Sequence, residues 1–115
     1  MDSILQSIKK LIGPSTLYDH FDADLIIHIN TVFTILNQLG VGPSAGFVIT
    51  GDTETWDQFL PAGEQLEMVK SYMFLRVKML FDPPLSSGTC EVYNRQITEF
   101  EWRLNVAVDP KLQGE

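Results

Sequence analysis

EQLEMVKSYMFLRVKMLF at residues 64–81, the DPP that follows at 82–84, and SSGTCEVYNRQITEFEWRLNVAV at 86–108 decide the fold of this chain. At about 100° per residue, Leu66, Val69, Met73, Val77 and Leu80 fall on one stripe of a helix over 64–81. Met68, Tyr72, Leu75 and Met79 form a second stripe on roughly the opposite side. A helix at the edge of a small monomer needs one apolar face, because its other face meets water. Two stripes predict a helix at the centre of a bundle, or one whose second face meets another chain.

The proline pair Pro83-Pro84 ends this helix, since Asp82 precedes one proline and a second follows. A further helix is predicted from an N-cap at Ser86 or Ser87 to Val108. Tyr93, Ile97, Phe100, Leu104 and Ala107 recur along it at steps of four and three, which predicts an antiparallel hairpin with the 64–81 helix. Beside that arc, Glu91, Arg95, Glu99 and Arg103 alternate in sign every four residues. Such a ladder reads either as a solvated face or as pairing between subunits. Trp102 points away from Phe100, next to Val106. It is either covered by the first helix or the central loop, or it anchors a neighbour, as buried Trp and Arg do at interfaces.

Two earlier helices are predicted. Ile4, Leu5, Ile8, Leu11 and Ile12 have helical spacing, with a capping-box start at Ser3 and Gln6 and a stop at Gly13-Pro14. Leu25, Ile29, Val32, Leu36 and Leu39 mark a core helix, with Asp22 as N-cap, Asp24 in the first turn and Gly40 past the end. Between Val41 and Leu60, the glycines and Pro43 exclude a continuous helix. There Phe47-Val48-Ile49-Thr50 reads as a short β-segment, and Thr55-Trp56-Asp57-Gln58 as a capping-box start for one helical turn. The predicted architecture is mainly α: a small bundle of about four helices, with a Gly-rich loop and a short β-segment between the second and third. One domain is expected over 1–115, with a frayed tail at 110–115.

The net charge of −7 and eight scattered basic residues exclude a phosphate-gripping stripe. An acidic surface suits DNA that must slide past without sticking. No apolar run is long enough for a membrane span, and no leader is visible at Met1-Asp2-Ser3-Ile4. The single cysteine, Cys90, fits a reducing cytoplasm.

Chemistry has little to stand on. Asp19, His20, Asp22, Asp24 and His28 form a ligand-like cluster. Capping and the helix dipole explain Asp22 and Asp24 better, and no second pair completes a metal site. Cys90 lacks a His–acid set and reads as a packing residue. Gly40-Val41-Gly42 lacks the further glycines and the lysine of a phosphate loop. No enzyme, cofactor or metal is expected.

The order and spacing of several segments resemble the head-tail connector, or head-completion, proteins of tailed bacteriophages and prophages. They are Ser7 to Gly13, His20 to Asn30, Gln38 to Gly42, Thr55 to Leu60, Leu80 to Pro84, Asn94 to Ile97 and Glu101 to Asn105. The resemblance implies a helical subunit, made in the bacterial host cytoplasm, that forms a homo-oligomeric ring in the virion neck. Portal protein would lie above and neck or tail proteins below, with DNA passing through the hole. On that reading, Met68, Tyr72, Leu75, Met79, Arg95, Trp102 and Val106 are candidate subunit-interface residues. Phe47, Ile49 and Trp56 are candidate contacts to portal or tail. The alternative is a non-catalytic prophage adaptor or regulatory bundle that binds another protein as monomer or dimer.

Overall fold

The structure, a computed structural model, describes residues 3–13 and 19–108, with the side chains of Asp19, Ala107 and Val108 excepted. The expected tail at 110–115, Pro14, and the contributions of Asp19 and Ala107 lie outside the described residues. Among those residues the chain forms α1 (Ile4–Ile12), a 3-10 turn (Asp19–Phe21), α2 (Asp22–Gln38), α3 (Trp56–Phe59), α4 (Glu64–Phe81) and α5 (Ser87–Val108). Over the described residues it is a mainly helical bundle with no sheet.

α1 starts where its sequence says: the Ser3 hydroxyl accepts from the Gln6 amide at 3.0 Å. At its end the Gly13 amide donates to the Lys9 carbonyl at 3.1 Å, with φ of 137° at Gly13. Ile4, Leu5 and Ile8 are buried against α2 and α4. α2 sits centrally and buries Leu25, Ile29, Val32, Phe33 and Leu36. α4 turns Leu66, Val69, Met73 and Val77 into the same core, while Ile97 and Leu104 of α5 close it from the other side. Leu80, expected on the core stripe, is 47% exposed, because it lies in the last turn beside the hairpin bend.

The N-terminus of α2 departs from expectation. Asp22 is the first helical residue rather than the cap, and Phe21 occupies the cap position with no side-chain hydrogen bond. The Asp22 carboxylate instead reaches across to α1, where Oδ1 lies 2.8 Å from the Lys9 ammonium. Lys9 is 1% exposed, so this ion pair is buried at its cationic end and welds α1 to α2.

The expected β-segment is absent. Phe47 to Thr50 forms no strand. The reason is local: Asn30 of α2 supplies what a paired strand would. Its amide donates to the Ile49 carbonyl at 2.9 Å, and its side-chain oxygen accepts from the Ile49 amide at 2.8 Å. One side chain thus satisfies both polar groups of a buried residue. Nearby, Glu54 folds back on Thr50, accepting from its amide at 2.9 Å and its hydroxyl at 3.0 Å. Burial pushes the Glu54 carboxyl up, but those donors outweigh it and hold it below its ordinary value.

Gly42 makes a close approach possible. Its φ is 88°, and a Cβ placed on it would sit 2.3 Å from the ring of Phe59. Gly42→Ala is therefore expected to cost about 2 kcal/mol, from left-handed strain plus displacement of a buried ring. Urea unfolding of the two proteins checks this, and an unchanged midpoint would mean that Phe59 moves freely.

Candidate interaction surface

The α4–α5 hairpin carries the candidate surface. The second stripe of α4 is partly consumed by α5: Tyr72 is fully buried and Leu75 is 6% exposed. These two candidates are withdrawn from any neighbour, because α5 packs on a wider arc of α4 than the turn alone suggests. Tyr72 is held by chemistry as well as burial. Its hydroxyl donates to Glu101 Oε2 at 2.7 Å and accepts from Arg76 Nε at 3.2 Å, while Arg76 also pairs with that Glu101 oxygen. The cluster pins α4 to α5 at mid-length.

Burial, and then the bond to Glu101, push the Tyr72 hydroxyl well above its ordinary value near 10. A phenol whose pKa is raised by folding contributes stability that is complete below pH 10 and lost as pH rises past it. Alkaline absorbance titration should therefore show one tyrosine that ionises late and only as the fold opens. A Tyr72→Phe protein that keeps the late-ionising absorbance would refute the cluster.

Met68 and Met79 remain half-buried. Met68 lines a cleft of about 760 Å³ between α4 and α5, with Leu11, Phe74, Leu75 and Phe100 on its apolar walls. Its lips carry two ion pairs, Lys70–Glu67 at 3.3 Å and Arg103–Glu99 at 2.7 Å.

The side of α5 away from the core is the more open surface. Trp102 is 66% exposed and Val92 44% exposed, with Arg95 and Glu99 also exposed and Val106 half-buried. Neither α1 nor the central loop covers Trp102. It stands nearly opposite the buried Leu104, as a helix at 100° per residue requires.

The loop candidates separate. Ile49 and Trp56 are buried at 1% and 2%, and Trp56 Nε1 donates to the Ser7 hydroxyl at 2.8 Å. They hold the fold and are not presented to a partner. Phe47 is half-buried against Phe33 and Phe59, with ring centroids at 5.1 and 5.5 Å. Val48, at 60% exposed, is the apolar residue this segment presents, and sequence reading missed it. The available signal was that side chains alternate along extended backbone, so that Val48 faces away from Phe47 and Ile49. Leu85 was also missed. It is fully exposed at the hairpin bend, outside any helical periodicity.

No group of three His, Cys, Asp or Glu among the described residues is placed to hold a metal ion. His28 instead packs its ring on Phe81, with centroids 6.4 Å apart, and Cys90 Sγ donates to the Pro84 carbonyl at 3.3 Å. No helix of the described residues is long and apolar enough to cross a membrane.

No curated protein and no solved structure matches the chain. The family described as phage connector protein matches residues 4–111, almost the whole length of this helical subunit. The chain belongs to that family.

Proposed function

We propose that this protein is a neck component of a tailed phage or prophage, assembling as a ring between portal and tail through which DNA passes. Membership of the connector family makes it a structural phage protein, and a role without catalysis is part of the proposal. The observation that supports self-assembly is the outward face of α5, where Trp102 stands two-thirds exposed beside Arg95 and Val106. Together with Met68 and Met79 on α4, these residues are the proposed subunit contacts. Phe47, packed on Phe33 of α2, and the exposed Val48 are the proposed contact to portal or tail proteins. The net charge of −7 suits the wall of a channel that must not grip a polyanion. One folded domain and a site in the virion neck complete the reading.

The test is assembly with portal-bearing particles. Wild-type protein is expected to bind them in multiple copies per portal. Trp102→Ala is expected to keep its far-UV circular dichroism and unfolding midpoint while binding at least tenfold more weakly, as loss of an interface anchor does. Wild-type protein that never joins such particles would defeat the neck reading. A Trp102→Ala protein that loses helicity would show the residue to be core.

A further inference from the structure

The exposed seam of α5 has a pattern that the ring reading does not use. Gly88, Val92, Arg95, Glu99, Trp102 and Val106 follow one another at steps of four, three, four, three and four. That is the spacing of a two-helix seam. The seam lies on the side of the helix away from buried Ile97 and Leu104.

Its chemistry is symmetric about the level of Ile97 when read in opposite directions. If a second α5 is laid antiparallel, Val92 falls opposite Trp102, Arg95 opposite Glu99, and Gly88 opposite Val106. Each pair occurs twice. Apolar meets apolar, cation meets carboxylate, and the bulkiest seam residue faces a modest one. Laid parallel in register, the same seam sets Arg95 against Arg95 and Glu99 against Glu99, which is repulsive.

We infer that the free protein forms a two-fold dimer through antiparallel pairing of α5 with α5 of a second copy. Charge complementarity selects the occupant, because a single chain supplies both halves of every pair. Among the described residues Arg95 has no ion-pair partner, whereas Glu99 is held by Arg103 at 2.7 Å and has its second carboxylate oxygen to offer. A seam this narrow buries less area than a standard stable interface, so the dimer is a weak, concentration-dependent one. It covers Trp102, the group that the proposed ring would need. The dimer must therefore open before ring assembly.

Sedimentation of the full chain over a hundredfold concentration range tests this, with charge reversals as the control for register. Wild type is expected to pass from monomer to dimer. Arg95→Glu alone and Glu99→Arg alone each create two like-charge contacts and should weaken the dimer roughly tenfold or more. An equimolar mixture of these two variants restores both contacts and should dimerise, as should the double variant. These positions are exposed, so unchanged circular dichroism is expected throughout. A wild type that stays monomeric overturns the inference, as do single variants that dimerise like wild type, or a mixture that fails to recover. A larger species insensitive to Arg95→Glu would also overturn this pairing while leaving the ring reading intact.

Discussion

Trp56→Ala is expected to remove about 3–5 kcal/mol of folding stability, the usual cost of truncating a fully buried large aromatic side chain. Trp56 is 2% exposed and does three jobs at one point. Its ring fills the space where α1, α3 and α4 converge. Its indole N–H donates to Ser7 at 2.8 Å, and its face lies 5.9 Å from the Lys70 ammonium. Deletion leaves a cavity, takes one of the two hydrogen bonds of the Ser7 hydroxyl and loosens α1. For a chain of this size the loss is a large share of the total stability. The check is the urea midpoint, with Trp56→Phe as a second variant. Phenylalanine keeps most of the volume but not the donor, so it should lie clearly nearer wild type. Equal losses in both would assign the effect to the hydrogen bond rather than to packing.

Asp22→Ala comes next, at about 2–3 kcal/mol, because it removes a charge-assisted contact 2.8 Å from an ammonium that is only 1% exposed. The reverse substitution should be far milder. In Lys9→Met the apolar stem is kept, and the remaining carboxylate is a quarter exposed in the first turn of α2, where the helix dipole favours it. A cost of about 1 kcal/mol or less is expected for Lys9→Met. Denaturant unfolding of both variants reads out the asymmetry. Equal costs would mean that the pair is worth its direct attraction alone, with no added penalty at its buried end.

The helices were legible because their signals are periodic and redundant. Five apolar residues at steps of four and three place α2 whatever the end residues do, and the proline pair fixes the bend after Phe81. What was not legible depends on single side chains acting over long separations in sequence. Nothing near Phe47 to Thr50 reveals that Asn30, 19 residues earlier, will serve the backbone of Ile49. Nothing near Asp22 reveals a partner on α1. The candidate surface was half legible for the same reason. A second apolar stripe on α4 is visible in sequence, but how much of it α5 covers depends on packing rotation, and that rotation took Tyr72 and Leu75 inside. Trp102 was readable as off-core because its angular position opposes Leu104 on the same helix.

The tie between Trp56 and Ser7 has a mechanical meaning. Together with the bond from the Ile4 amide to the Glu54 carbonyl at 3.0 Å, it buckles the beginning of the chain to its middle, as a belt is closed. Traction applied at the first helix reaches residues 54–56 directly, bypassing the whole length of α2. Anything that grips that end therefore tugs on the central connection at the same moment.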